Sequence, residues 1–338
     1  MTYDFCTYLD RHYLPRGLAL VRSLQRHCPD FRLWVLCFDD DSLAILSRLQ
    51  LPNVQPVGLA DLEAADSALR AVKPMRSRVE YYFTSTPCWP LHLLHQHADI
   101  ELLTYLDADL YFFADPAPLF AELAKRSVGI IEHRYPPRLE SMRRCGVYHV
   151  GWVSFRRDGT GLECLRWWRE RCLEWCHDRC EPGRYADQKY LDDWPERFPN
   201  VAVLQHPGAN VGPWNAGSYR FSRGRQGVLV SGQPLLFYHF HALRQVQPWL
   251  FHADLTAYGI QPTGVLRGEV YRPYIRAVTE EVQRLSAWMP AATFCRTLRF
   301  PEAARSGPHW LRRLPALLRD VSLPFRRRIR TQYFWSLG

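Results

Sequence analysis

No run of roughly 18 apolar residues occurs in the chain, so the sequence offers no membrane-spanning helix. Residues 1–9 lack a basic leader and a long apolar stretch, so no secretory signal is expected and the cytoplasm is the expected compartment. No Gly-x-Gly-x-x-Gly turn follows the first strand-like segment, and no Gly-Lys-Ser/Thr loop appears, which argues against dinucleotide and P-loop sites. Repeats and low-complexity segments are also missing. Cysteine is plentiful, but its densest group, Cys164, Cys172, Cys176 and Cys180 beside His177, lacks the Cys-x-x-Cys spacing of structural zinc. The last three recur every four residues, as on one helix face, and are expected to be reduced, buried small hydrophobes.

What is present supports a large core: 47% of residues are hydrophobic and 14% aromatic, which excludes disorder for most of the chain. The net charge of +9 is unevenly placed. Nine arginines between Arg299 and Arg330, with Arg296 just before them, face only Glu302 and Asp320 and interleave with Trp310, Leu311, Leu314 and Phe325. Such a tail is either solvated or an amphipathic helix on an anionic membrane surface. The expected organisation is a catalytic domain over 1–265 and a helical extension with this basic tail over 266–338.

The early chain alternates strand and helix. Strands are predicted over residues 4–8, 33–38 and 54–57, with helices from Leu14 to His27 and, capped by Asp41-Ser42, to about Gln50. That alternation makes parallel strands with helices on both faces. Ser85-Thr86-Pro87 reads as a helix start running towards His97. Further strands are predicted over 128–132, 147–155 and 235–241, and helices over 117–125, 161–180, from 185 and over 270–288.

The central stretch is Leu102–Phe113, an apolar run that meets Asp107 and Asp109 where a strand buried on both faces would end. At i and i+2 the two carboxylates point to one side. By themselves they read equally as the cap of a turn or as two hard ligands for Mg²⁺ or Mn²⁺ carrying a phosphorylated molecule. Asp187 and Gln188 are polar groups at a helix start, where an exposed cap is the plain alternative. The Gly- and Pro-rich loop 206–215 carries Asn210, Trp214 and Asn215, and such loops often line clefts. His239 and His241 share one side of a strand end, as structural residues or as metal ligands.

In order along the chain, these features resemble the GT-A glycosyltransferases, most closely the family 8-like enzymes. The likeness covers residues 3–260: the first strand and helix, Asp107-x-Asp109, Asp187-Gln188, Trp214-Asn215, and His241, Pro248 and Trp249 of a His-x-x-Gly-x-x-Lys-Pro-Trp pattern. It implies an α/β GT-A (Rossmann-like) nucleotide-diphospho-sugar transferase fold, with a mixed, mostly parallel sheet flanked by helices. It further implies a metal-dependent, retaining hexosyltransferase using a UDP-sugar. Metal ligands would be Asp107, Asp109 and His241, with His239 in reserve, for Mn²⁺ or Mg²⁺. Thr7 and Tyr8 would meet the nucleotide base with Asp39 or Asp40 nearby, Arg78 would reach phosphate or sugar, and Arg244, Lys189 or Arg78 would supply the positive charge for the diphosphate. Asp187 and Gln188 would face the transferred sugar, and His149, Trp214 and Asn215 would line the sugar or acceptor pocket. The pattern departs at Arg244, where Gly is usual, at Gln247, where Lys is usual, and at His149-Val150-Gly151, which replaces Asn-Ser-Gly.

The acceptor would be a glycan or lipid-linked molecule of cell-surface polysaccharide or lipopolysaccharide synthesis, met at the inner face of the membrane. No nucleic-acid partner is expected. Two rival readings stand beside it: a non-catalytic scaffold or basic binding protein, and a sugar-phosphate nucleotidyltransferase, whose Gly-rich N-terminal loop residues 4–20 lack.

Overall fold

Seven strands form the central sheet: β1 (Tyr3–Leu9), β2 (Phe31–Cys37), β3 (Val54–Gly58), β4 (Leu102–Leu106), β6 (Val128–Glu132), β7 (Tyr148–Arg156) and β8 (Val201–Val203). The short β5 (Leu110–Phe112) lies outside it. The order is β3-β2-β1-β4-β7-β6-β8, and only β7 runs against the rest. This is the expected mixed, mostly parallel sheet. The computed structural model describes residues 2–262, 264–295 and 333–335. The chain divides into two compact units, Met1–His241 and Ala242–Gly338.

In the first unit, helix α1 (Leu14–His27) joins β1 to β2 and α2 (Asp40–Leu49) joins β2 to β3. The cap of α2 is Asp39, whose Oδ1 accepts from Ser42 N at 2.8 Å, rather than Asp41-Ser42. After α3 (Leu59–Ala65) and α4 (Ser67–Val72) comes α5 (Arg78–Gln96), which starts seven residues before the predicted Ser85. Its true start is a capping box: Ser77 Oγ accepts from Glu80 N, and Ser77 N donates to Glu80 Oε2 at 2.8 Å. Pro87 and Pro90 sit inside the helix. The hydroxyls of Ser85 and Thr86, which mimicked a cap, donate instead to carbonyls one turn earlier, as does that of Thr84.

Helix α6 (Ala117–Leu123) precedes β6, and α7 (Gly159–Glu174) follows β7. Predicted to reach Cys180, α7 stops at Glu174, because Trp175 is extended and its carbonyl accepts from Tyr190 Oη at 2.7 Å. Cys176 and Cys180 therefore leave the shared face. Asp187 lies in a turn before the 3-10 run Lys189–Asp193, not at the start of an α-helix. The short α8 (Trp194–Arg197) leads to β8. The core packs Leu103, Tyr105, Val153, Phe155, Trp168 and Trp194 between sheet and helices. Beyond the sheet come β9 (Phe221–Gly224), β10 (Gly227–Val230), β11 (Gln233–Pro234) and β12 (Phe237–His239). The predicted strand 235–241 is thus cut to three residues, and His241 lies past its end.

The second unit has β13 (Arg244–Gln247), β14 (Leu250–His252) and β15 (Tyr333–Trp335) as an antiparallel sheet. A π-helical turn, Leu266–Tyr271, leads into α9 (Arg272–Leu285), shorter than the predicted 270–288. The arginine-rich run from 296 to 330 lies outside the described residues. No described helix is long and apolar enough to cross a membrane.

Candidate metal and sugar site

Three strand ends converge. β4 runs buried to Leu106 and releases Asp107, whose N–H donates to Gly151 O at 3.2 Å. β7 pairs Trp152 with Leu106, which sets His149, its second residue, beside that carboxylate. β12 pairs antiparallel with β5, His239 opposite Leu110, and this register lays the imidazole against Asp109. His239 Nε2 is 2.8 Å from Asp109 Oδ1 and 3.7 Å from Asp107 Oδ2. One ligand atom each from Asp107, His149 and His239 lies within 4.8 Å of the others.

This group fits a divalent cation on its own chemistry. It offers one carboxylate and two imidazoles, a donor set suited to a transition ion. Nδ1 of His239 is buried with no hydrogen-bond partner among the described residues, so the ring has a nitrogen to spare. Gly151 leaves the space open: a Cβ there would come within 2.6 Å of His149 Cε1 and 3.2 Å of Asp107 Oδ2. Gly151→Ala is therefore expected to turn the imidazole away and weaken Mn²⁺ binding by ~10–100-fold. Isothermal titration with Mn²⁺ checks this, with far-UV circular dichroism to show the fold intact.

The charges are set unequally. Burial pushes Asp109 up, but the charge and hydrogen bond of His239 outweigh it and hold the carboxyl well below its usual range, with Arg16 helping. Asp107 goes the other way: burial raises it, His239 opposes, and Asp109 adds repulsion. Tyr105 Oη donates to Asp107 Oδ1 at 2.8 Å. Burial opposes protonation of His239, yet Asp109 and then Asp107 carry its pKa above the ordinary value. His149 is held well below its ordinary value by burial first and its neighbouring histidines second. Its ring stands 4.6 Å from His133, 4.8 Å from Trp214 and 4.8 Å from His239. His241 is near this wall, its ring 5.9 Å from His239 and 6.0 Å from Trp214, but outside the three-atom group.

A second carboxyl belongs to the same neighbourhood. Asp187 is 5% exposed, which excludes the exposed cap. Burial drives its carboxyl up to about 7, the Thr86 hydroxyl opposes, and the charge of Asp107 adds to the rise. Two tyrosines link the acids: Tyr105 and Tyr8 have ring centres 5.6 Å apart, and Tyr8 Oη is 3.4 Å from Thr86 Oγ1.

Other predicted residues have local partners. Gln188 Nε2 donates to Cys145 O at 2.9 Å. Asn215 is fully buried and spends its amide on His133 O, Asn210 O and Gly212 N, shaping the loop that carries Trp214. Thr7 is fully buried, its hydroxyl unpartnered among the described residues. Arg78 Nη2 lies 2.9 Å from Asp10 Oδ2 and 3.9 Å from Asp39 Oδ2, and Asp39 Oδ2 also accepts from Arg11 N. Arg244 lies in the second unit, paired in the ladder with His252. Sequence reasoning missed Arg16, whose Nη1 is 3.7 Å from Asp109 Oδ2, and Tyr105, two residues before Asp107 and legible from the period-two rule.

No family model matches the chain. YfnF of Bacillus subtilis (strain 168) is 37% identical over 254 residues, covering 73% of this chain and 83% of that protein. YfnD of the same organism is 31% identical over 292 residues, covering 86% and 93%. Both are described as uncharacterized. Among solved structures, the galactosyltransferase LgtC, crystallised with donor and acceptor sugar analogues, aligns over 89% of this chain and 99% of its own. The TM-score is 0.50 at 17% sequence identity, a likeness of fold.

Proposed function

The chain belongs to the family of YfnF and YfnD and has the GT-A fold, and from that premise we propose that it is a nucleotide-sugar-dependent glycosyltransferase. The observation that carries this reading is the meeting of Asp107, His149 and His239 beyond the carboxyl end of β4, with buried Asp187 close by. The donor is a UDP-linked hexose and the acceptor a glycan or lipid-linked molecule. Residues 1–265 do the chemistry, and 266–338 are an extension.

Asp107 with His149 and His239 would hold Mn²⁺ or Mg²⁺, with Asp109 and His241 alongside. When bound there, the cation supplies neutralising charge for a diphosphate leaving group. In the transfer the bond from the anomeric carbon to the diphosphate oxygen breaks, and the acceptor hydroxyl oxygen bonds to that carbon. The hydroxyl proton passes to the departing phosphate, so no dedicated base is required. Ionised Asp187 stabilises the positive charge that develops on the sugar, and Gln188 holds a hydroxyl. Asp109 pins His239 in one orientation, and the rings of His133, His149 and Trp214 keep water from that side. The transfer retains configuration at the anomeric carbon.

A thermal-shift screen of nucleotide sugars with Mn²⁺ tests the proposal. At ~100 times Kd a cognate donor stabilises by ~2.7 kcal/mol, which is a rise of roughly 5 °C in Tm. Absence of a shift with every UDP-sugar, together with no UDP release in the presence of glycan acceptors, would sink it.

A further inference from the structure

Of the ten cysteines, seven are buried; Cys145, Cys180 and Cys295 are not. Two of these three are neighbours. Cys180 Sγ donates to Arg144 O at 3.5 Å, the carbonyl bonded directly to the Cys145 nitrogen, and the Cys180 thiol adds to the rise that burial gives the Cys145 thiol. Each sits on a separately built piece of chain: Cys145 ends the 3-10 run Pro137–Cys145, and Cys180 precedes the tight bridge between Glu181 and Arg184. Beside them opens a hollow of about 430 Å³ lined by Arg144, Cys180, Glu181, Pro182, Gly183 and Lys189. Its lining sets Arg144 and Lys189 against Glu181, with Lys189 Nζ also 2.7 Å from Asp192 Oδ2. The other close thiol pair, Cys172 and Cys176, is fully buried and closed to reagents.

We propose that Cys145 and Cys180 form a reversible disulfide, with the adjoining hollow admitting a small-molecule disulfide as oxidant. The thiolate of Cys180 attacks that disulfide, forming a mixed disulfide and releasing one small thiol. The thiolate of Cys145 then attacks the Cys180 sulfur; the Cys145–Cys180 bond forms and the second small thiol leaves. The protein loses two electrons and two protons, and the oxidant becomes two thiols.

The position gives the bond a consequence. Gln188 Nε2 donates to Cys145 O, Lys189 Nζ donates to Arg143 O at 3.1 Å, and Asp192 Oδ1 accepts from Val147 N at 2.7 Å. Gly146, at φ +135°, has the Gln188 side chain 3.0 Å from where a Cβ would stand. The segment 143–147 is therefore packed on the one carrying Asp187 and Gln188, and a covalent tie to Cys180 fixes both. Resting on the transferase reading, this predicts that oxidation slows sugar transfer by restricting the segment that faces the sugar.

The full chain is incubated with glutathione disulfide under native conditions, its thiols are counted, and its peptides are mapped by mass spectrometry. The expected result is loss of two thiols, a Cys145–Cys180 cross-link, slower amide exchange over 137–147 and 185–192, and ~10-fold slower transfer, all reversed by dithiothreitol. Cys145→Ser should accumulate glutathione on Cys180, and Cys180→Ser should form no cross-link. A wild-type protein that stays reduced, or stops at glutathionylated Cys180, overturns the pairing. A cross-link without change in amide exchange or transfer overturns the control role. Absence of transfer in both redox states counts against the transferase reading, and the thiol map still decides the pair.

Discussion

Asparagine at position 107 is expected to lower sugar transfer by ~10³-fold while leaving the melting temperature within a degree or two of wild type. The first half follows from losing the one carboxylate in the group with His149 and His239: about 4 kcal/mol of charge stabilisation corresponds to that factor. The second half follows from the electrostatics. Asp107 is held above its ordinary pKa by burial and by Asp109, so ionising it works against the fold, and a neutral amide removes that repulsion. Asp109→Asn should differ: it removes a buried charge paired at 2.8 Å with His239 and costs ~3 kcal/mol or more of stability besides activity. Initial rates with a saturating donor and denaturant melts of both variants separate the two. Transfer by Asp107→Asn within tenfold of wild type would remove the cation from the mechanism.

Asp187→Asn carries the second large effect, with opposite signs on two measurements. A carboxyl at about 7 in the native state and at ~3.9 unfolded keeps a proton the unfolded chain has lost. The native state then binds more protons, so wild-type stability is fully present below about pH 4 and falls as pH rises towards 7. Three units correspond to about 4 kcal/mol at most. Asparagine escapes this loss, and the variant should be more stable than wild type at pH 8 by ~2 kcal/mol and equal to it near pH 4. Under the proposed mechanism the same variant should lose transfer by ~10²-fold, because an amide would not oppose positive charge on the sugar. Wild-type rates should climb with pH as Asp187 ionises, with a midpoint below 7 when Mn²⁺ offsets the charge of Asp107. Urea melts at the two pH values and a pH–rate profile test both signs. A variant less stable at pH 8 would show that Asp187 is ionised and paired in the native protein.

Local regularities of the fold were legible. The apolar run 102–106 gave β4, and the period from Leu14 to His27 gave α1 over the same residues. Punctuation misled where tertiary packing overrode it: Ser85-Thr86-Pro87 has the composition of a helix start yet is buried inside α5. The real start, Ser77-x-x-Glu80, was in plain view. At the site the difficulty was distance along the chain. Asp107 and His149 are neighbours only through the antiparallel pairing of β4 and β7, and His239 joins them only through its pairing with β5. One sequence contains no signal for such pairings, so the group of Asp107, His149 and His239 required coordinates.

The reversed direction of β7 decides which chain segment borders the crevice. In a sheet of uniformly parallel strands, each strand delivers its following loop to the ligand crevice and hides its preceding loop on the far side. β7 inverts that rule and presents its leading segment, residues 137–147, at the crevice instead. Changes confined to the start of that segment would alter what borders the crevice without touching the β4–β7 pairing that sets Asp107 beside His149.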